Sequence, residues 1–163
     1  MGRVPASLRN LLPIRTARVI LVRHADYDVG GTDPPLNRAG LARAKTLRDV
    51  LARTDLDSIL VTQWRRTRQT AEPTAAAHGL QPETVNAVPQ IVSRLRALAA
   101  GSTSLVVGHS DTVPSICAEL GAKVDPIGPI EFDNLYVLLH GRAIRWGPWY
   151  ADVVRLRYGV LVP

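Results

Sequence analysis

The sequence is poor in cysteine and has no long apolar run. Cys117 is the single cysteine of 163 residues, so the chain cannot form an internal disulfide bond, and we expect a cytoplasmic protein. No apolar stretch approaches the roughly 20 residues that cross a bilayer. The N-terminal segment also lacks the apolar core of a secretory signal. We therefore expect neither a disulfide-stapled secreted domain nor a membrane protein.

Lysine and aromatic residues are also scarce, although the chain is basic. The formal net charge is +6, and only Lys45 and Lys123 of the 20 basic residues are lysines. Arginine guanidinium groups match phosphate in a two-pronged geometry, so this bias is compatible with an anionic substrate. The basic residues are dispersed and aromatic residues make up 5% of the chain, so no stacking series accompanies them. We expect no nucleic-acid partner.

The start of the chain differs in charge from the rest, because no acidic residue precedes Asp26. We predict a basic N-terminal extension over residues 1–17 and a single domain over residues 18–163, a length that suits one core. A solvated, mobile tail is the preferred interpretation of the extension. A leader and an arm that attracts phosphate are the alternatives.

Short apolar runs alternate with amphipathic stretches along most of the chain, which predicts alternating strands and helices. The last quarter instead shows strand patterns joined by turns, which predicts antiparallel pairing. The fold class that follows is α/β: a three-layer α/β/α sandwich with a mostly parallel central sheet and antiparallel C-terminal strands. The predicted strands are 18–22, 58–61, 104–108, 136–140, 143–146 and 153–158, and the predicted helices are 38–53, 65–78, 89–100 and 112–120.

Polar side chains follow each of the three predicted parallel strands. Arg23 and His24 follow the first, an arginine-rich stretch at 64–71 follows the second, and His109 follows the third. In parallel sheets ligands bind beyond the carboxyl ends of the strands. We therefore expect these side chains to meet at one edge of the sheet.

Three stretches, LVRHAD, TQWRRTRQTAE and VVGHSDT, occur in this order and resemble the motifs of the histidine phosphatase (phosphoglycerate mutase-like) superfamily. The resemblance runs from about residue 18 to 140 and implies a phosphoglycerate mutase-like fold. It also implies hydrolysis through a covalent phosphohistidine intermediate on His24. Arg23, Arg66 and His109 would bind the phosphate, with His109 as the second catalytic histidine. Aligned on Gln69-Thr70-Ala71, the arginine of the family motif falls on Arg66 rather than on its arginine neighbours.

The sequence departs from the mutase subgroup of this family. Ala25, Asp26, Tyr27 and Gly30 stand where the mutases carry Gly, Glu, Ser and Asn, and the chain is too short for the insertions that build a lid. The resemblance therefore implies a small, lidless phosphatase that needs neither a metal nor an organic cofactor. Its partner would be a phosphorylated small molecule or a phosphohistidine protein; the oligomeric state is not predicted.

The proton donor is the least defined part of the predicted site. The glutamate that the family usually carries falls on Gln90. We take Asp111 as the candidate acid, because it lies two residues after His109 at the start of a predicted helix. A helix cap is the competing interpretation of this residue. Other acids left open are Glu83, Glu131 and Asp133.

Two other functions remain open. LVVGHSDT resembles the nucleophile elbow of serine hydrolases, with Ser110 as nucleophile and Asp133 and His140 following in the required order. Thr112, however, stands where that elbow needs glycine. The second alternative is a module that binds phosphorylated ligands without turnover. The sequence contains no metal-binding motif, so we predict no metal site.

Overall fold

The computed structural model describes residues 15–142 and 148–159. Strands and helices alternate through its first two thirds, and two long strands end it. In chain order the elements are β1 (Arg15–Arg23), α1 (Arg38–Leu51), β2 (Ser58–Val61), α2 (Arg65–His78), β3 (Glu83–Thr84), α3 (Val88–Arg96), β4 (Thr103–Gly108), α4 (Thr112–Glu119), β5 (Asn134–Arg142) and β6 (Tyr150–Arg157).

The strands form one sheet in the order β3-β2-β4-β1-β5-β6. The first four of these are parallel, whereas β5 is antiparallel to β1 and β6 is antiparallel to β5. The predicted mostly parallel sheet with antiparallel C-terminal strands is therefore confirmed. β4 is buried along its whole length, as expected for a central strand with both faces covered.

Helices cover both faces of the sheet. Val19 and Leu21 of β1 face a cluster that includes α3 and α4, and Ile20 and Val22 face a cluster that includes α1 and α2. This alternation follows from the strand period of two. The three-layer α/β/α sandwich is confirmed, and apolar burial on both faces holds the carboxyl ends of the parallel strands at one edge.

Several boundaries differ from the predictions. β1 begins at Arg15, three residues early, because Thr16 and Ala17 pair with Gly141 and His140 of β5, a long-range pairing without local apolar periodicity. Residues 15–17 therefore belong to the sheet and not to an extension, and residues 1–14 lie outside the described residues. The strand predicted at 143–146 also lies outside them.

The edge strand β3 was missed by the sequence analysis. Its two residues are exposed, so they show no burial pattern, and only pairing with β2 defines the strand. α3 ends at Arg96 rather than at residue 100, where the chain turns and the Gly101 N–H donates to the Thr16 carbonyl at 2.8 Å. In the described part of the chain, no helix combines the length and apolar character that a membrane crossing requires.

Candidate active site

Three chain segments meet at the carboxyl edge of the sheet. Arg23 at the end of β1 pairs with Gly108 at the end of β4, and Val61 at the end of β2 pairs with Val107, so the segments that follow start at the same level. They enclose a cavity of about 430 Å³. All five predicted site residues line it; the lining residues are Arg23, His24, Tyr27, Thr62, Gln63, Trp64, Arg66, Asn86, His109, Ser110, Asp111 and Thr112.

Backbone carbonyl groups hold His24 in place and fix the orientation of its ring. Its N–H donates to the Gly108 carbonyl at 2.9 Å, and its Nδ1 lies 2.9 Å from the Ala25 carbonyl oxygen. A carbonyl can only accept, so the proton resides on Nδ1 and the lone pair resides on Nε2. Burial lowers the pKa of His24 to about 3, with further lowering by His109 and the two site arginines. The imidazole is therefore neutral at neutral pH.

His109 is oriented by two threonines. Its Nε2 lies 2.9 Å from the Thr62 hydroxyl, which lies 3.0 Å from the Thr67 hydroxyl. The Thr67 hydroxyl shares its one hydrogen between two backbone carbonyls, those of Trp64 at 2.8 Å and of Thr62 at 3.0 Å. It therefore accepts from Thr62, and Thr62 in turn accepts from His109.

This chain of donors decides the tautomer of His109. The proton lies on Nε2, which leaves the lone pair of the neutral ring on Nδ1. Burial, followed by the charge of Arg66, lowers the pKa of His109 to about 4, while Asp111 opposes the shift. The two histidine rings are 5.2 Å apart between centroids and inclined by 65°. Two neutral imidazoles thus face one cavity.

Arg23 carries a buried guanidinium that protein groups satisfy only in part. Its Nη1 donates to the carbonyls of Gly128 and Glu131 at 2.7 and 3.2 Å, and Phe132 stacks against it at 4.0 Å from the ring centroid. Its Nε is buried without a partner. Burial lowers the pKa of Arg23. A buried donor without a partner is the kind of group that a ligand completes.

Arg66 projects into the cavity from the first turn of α2. Its guanidinium lies between the rings of Tyr27 and Trp64, 5.4 and 5.0 Å from their centroids, and 4.0 Å from Asp33. Its Nε is also buried without a partner. Arg65 and Arg68 are exposed and do not line the cavity, so the arginine that the predicted register selects is the one of the three that lines it.

Asp33 holds this arginine-bearing turn in place. Its carboxylate accepts from the Arg65 N–H at 2.9 and 3.2 Å, which caps α2 where Trp64 offers no side-chain cap. Thr70 of the same helix accepts from the Ala25 N–H at 2.9 Å. These contacts tie α2 to the loop after β1, so Arg66 and His24 are positioned together.

Asp111 lines the cavity and also caps α4. Its Oδ1 accepts from the Thr112 N–H at 2.8 Å, and the side chain is exposed. The other acids considered from the sequence do not line the cavity: Glu83 pairs with Arg94, while Glu131 and Asp133 pair with Arg157. Among the described residues, Asp111 is thus the one carboxylate on the cavity wall.

The serine hydrolase alternative is wrong. His140 pairs with Ala17 at the amino end of β1, whereas Ser110 follows the strand end that pairs with Arg23. The run between Ala17 and Arg23 spans about 20 Å at roughly 3.3 Å per residue, which is far beyond hydrogen-bond reach. His140, the base that this alternative assigns to Ser110, is therefore out of its reach.

Sequence analysis missed several contributors to the site. Thr62 begins the stretch TQWRRTRQTAE that carries the family resemblance, but the sequence analysis assigned it no role. Asn86 lines the cavity and accepts from the Gln63 N–H at 2.8 Å, whereas Gln90 is exposed and lines a different hollow beside Glu83. No local pattern marks Asn86, because its place depends on the path of the chain after β3. Within the described residues, no three His, Cys, Asp or Glu side chains cluster as metal ligands.

Comparisons with known proteins agree with this geometry. The family model described as histidine phosphatase superfamily (branch 1) matches residues 19–90. No curated protein matches the chain. The matched part is 72 of the 163 residues and contains the first two of the three motifs, so the chain is similar to this superfamily over that part.

Solved structures share the fold at low sequence identity. The protein histidine phosphatase SixA complexed with tungstate is 19% identical, with a TM-score of 0.67 over 86% of this chain and 96% of that one. A putative phosphohistidine phosphatase SixA from Agrobacterium tumefaciens is 23% identical, with a TM-score of 0.62 over 85% and 97%. The mycobacterial glucosyl-3-phosphoglycerate phosphatase is 15% identical, with a TM-score of 0.67 over 85% and 98%.

Proposed function

We propose that this protein is a phosphatase that hydrolyses phosphomonoesters or phosphohistidine through a covalent phosphohistidine on His24. The observation that carries the proposal is the neutral His24 ring, with its lone pair on Nε2, beside two arginines that each have a buried, unpartnered Nε. Transfer of a phosphoryl group depends mainly on positioning and on stabilising negative charge. This site offers both.

In the first step, the Nε2 lone pair attacks phosphorus while the bond from phosphorus to the leaving oxygen breaks. Arg23 and Arg66 hold the phosphoryl oxygens, His109 shares its Nε2–H between Thr62 and a phosphoryl oxygen, and the leaving oxygen takes a proton from the candidate acid, Asp111. In the second step, water attacks phosphorus and gives a proton back to Asp111, the N–P bond breaks, and inorganic phosphate is released. His24 returns to its neutral form.

The two guanidinium groups supply the positive charge that a divalent ion supplies in other phosphoryl-transfer sites. We therefore expect full activity in excess chelator. Loss of activity that one added metal restores would contradict metal independence.

Asp111 is our candidate for the group that protonates the leaving oxygen. Asp111→Asn should then slow alkyl phosphates by roughly 10²–10⁴-fold, the usual effect of general acid catalysis. It should barely affect nitrophenyl phosphate, because nitrophenolate leaves as an anion. A small, equal loss on both substrates, with lower thermal stability, would show that Asp111 serves only as a helix cap.

The open rim supports a broad choice of leaving group. Gln63, Asn86 and Asp111 at the mouth of the cavity are exposed, so a leaving group can extend outward and can even belong to a protein. The names of the solved neighbours cover a protein phosphohistidine and a small sugar phosphate. A panel of phosphoesters and phosphoramidates assayed with the purified protein would choose between these classes.

The decisive experiment is to trap the intermediate. Rapid quenching under alkaline conditions, followed by peptide mass spectrometry, should find phosphate on the peptide that contains His24. The adduct should be acid-labile and alkali-stable. His24→Ala should abolish both adduct and turnover, whereas His78→Ala, the same change outside the cavity, should preserve both.

Three outcomes would contradict the proposal. Phosphate on Ser110 would give the wrong nucleophile, and turnover that survives His24→Ala would exclude the covalent route. Tight binding of phosphate compounds with no turnover of any panel member would instead support the module that binds phosphorylated ligands without catalysis.

A further inference from the structure

The cavity has a buried floor and an exposed rim. Arg23 and His24 are 5% and 3% exposed and form the floor together with Thr62. Asn86 and Asp111 at the rim are exposed. A phosphoryl group placed on the floor must therefore send its leaving group out past the rim.

The charges of the floor and the rim have opposite signs. Arg23 and Arg66 are the cationic side chains that line the cavity within the described residues, and each has a buried Nε without a hydrogen-bond partner among them. A phosphate dianion carries two negative charges, so it matches these two guanidinium groups. The carboxylate of Asp111 then stands at the exit with no lining cation left to balance it.

The rest of the rim is neutral. Asn86 uses its Oδ1 to accept from the Gln63 N–H, and Trp64 stacks on Arg66. These groups can donate and accept hydrogen bonds, but they provide no positive charge. A second anionic group on a substrate would meet a carboxylate here instead of an arginine.

Resting on the phosphatase function proposed above, we propose that this site selects phosphate compounds whose leaving group is neutral or cationic. It selects against compounds that carry a second anionic group. Asp111 sets this preference in its ionised form, in which it carries the one net charge among the lining residues of the rim; its protonated form is the one that gives a proton to the leaving oxygen.

The test measures binding, so that it does not depend on catalysis. The full chain carrying His24→Ala is titrated calorimetrically with three alkyl phosphates: choline phosphate, glycerol 3-phosphate and 3-phosphoglycerate. The expected Kd is lowest for choline phosphate and highest for 3-phosphoglycerate, with a gap of about tenfold between them at low salt, as expected for charges that interact near a protein surface.

Adding Asp111→Asn should reduce the ratio of the Kd of 3-phosphoglycerate to the Kd of choline phosphate by about fivefold, chiefly through tighter binding of 3-phosphoglycerate. Asp55→Asn makes the same change in net charge at the opposite edge of the sheet, before β2, and should leave the gap as it was. Salt at 0.5 M should also narrow it, because exposed charges are screened.

Equal Kd values for 3-phosphoglycerate and glycerol 3-phosphate would overturn the charge preference. A gap that Asp111→Asn leaves intact would overturn the role of Asp111. Failure of the proposed function gives a different result: wild-type protein that does not hydrolyse nitrophenyl phosphate, whatever the order of the Kd values.

Discussion

Two arginines, Arg23 and Arg43, are buried to the same extent, at 5% and 6% exposure, yet their surroundings differ. Arg43 of α1 donates to the Asp26 carboxylate at 2.6 Å through Nε and to the Tyr158 carbonyl at 3.0 Å through Nη1. Arg23 has two backbone carbonyls, no acid in contact, and a buried Nε without a partner. The Arg43 guanidinium thus has a carboxylate counter-ion, whereas the Arg23 guanidinium has none among the described residues.

The difference separates an arginine with a structural counter-ion from one that, on the proposed function, binds a ligand. A buried charge without a counter-ion costs several kcal/mol, and proteins retain such a charge mainly where function needs it. Arg43 holds the loop after β1 against α1, where the contact is so close that a Cβ on Gly40 would lie 2.0 Å from the Asp26 carbonyl oxygen. Arg23 instead lines the cavity that we propose to bind phosphate.

The largest expected effect is the difference in stability between variants that remove the Arg43 charge and variants that remove the Arg23 charge. Arg43→Met should lower the free energy of unfolding by about 3–5 kcal/mol, because Asp26 is left partly buried without its partner. Arg23→Met should leave stability equal or higher while activity falls by orders of magnitude. Urea unfolding and turnover of nitrophenyl phosphate measure the two effects, and a stability loss of equal size in both variants would show that the two arginines are both structural.

The next effect sharpens the comparison within one helix turn. Arg66→Ala should lower kcat/KM by about 10²–10³-fold, the usual cost of losing one preorganised donor. Arg66→Lys should also be poor, because a point charge cannot reproduce the guanidinium fork. Arg65→Ala and Arg68→Ala are the matched controls and should change little, since neither side chain lines the cavity. Similar losses at all three positions would indicate a diffuse field instead of a specific contact.

A smaller effect concerns acid stability. The pKa of His24 is about 3 in the folded chain and about 6.5 when unfolded, so between these values the unfolded state binds the extra proton. The contribution of His24 to stability is present above pH 6.5 and is lost as the pH falls toward 3, at about 1.4 kcal/mol per pH unit. His24→Asn should reduce this slope in urea unfolding at pH 4.5–6.5. An unchanged slope would mean that His24 is not held neutral by the fold.

The smallest expected effect concerns the tautomer of His109. Thr67→Val removes the hydroxyl that accepts from Thr62, so Thr62 becomes free to donate to Nε2 and the proton of His109 can move to Nδ1. Imidazole ¹⁵N shifts should report this change, and kcat should fall about threefold to tenfold. Thr67→Ser keeps a hydroxyl and should restore both. A His109 tautomer that stays the same in Thr67→Val would contradict the proposed order of donors.

Much of the fold and part of the site were predictable from local signals. Apolar runs such as Val19–Val22 mark central strands, and the motif spacing correctly predicted that Arg23, Arg66 and His109 line one cavity. The start of β1 and the edge strand β3 were not predictable, because both depend on pairing with distant strands. The serine hydrolase alternative also looked plausible in order along the chain, until the sheet register put His140 at the far end of β1.

By itself the sequence determined which residue types follow which strands, since side-chain periodicity and motif spacing are local properties of the chain. Only the tertiary structure decided which buried guanidinium groups have a counter-ion. Arg23 and Arg43 cannot be told apart from their neighbours in sequence, because Asp26 lies 17 residues from Arg43, and Tyr158 lies 115 residues from it. Counter-ions and carbonyl partners are brought together by packing of distant segments, and that packing leaves Arg23 with a buried donor for a ligand to complete.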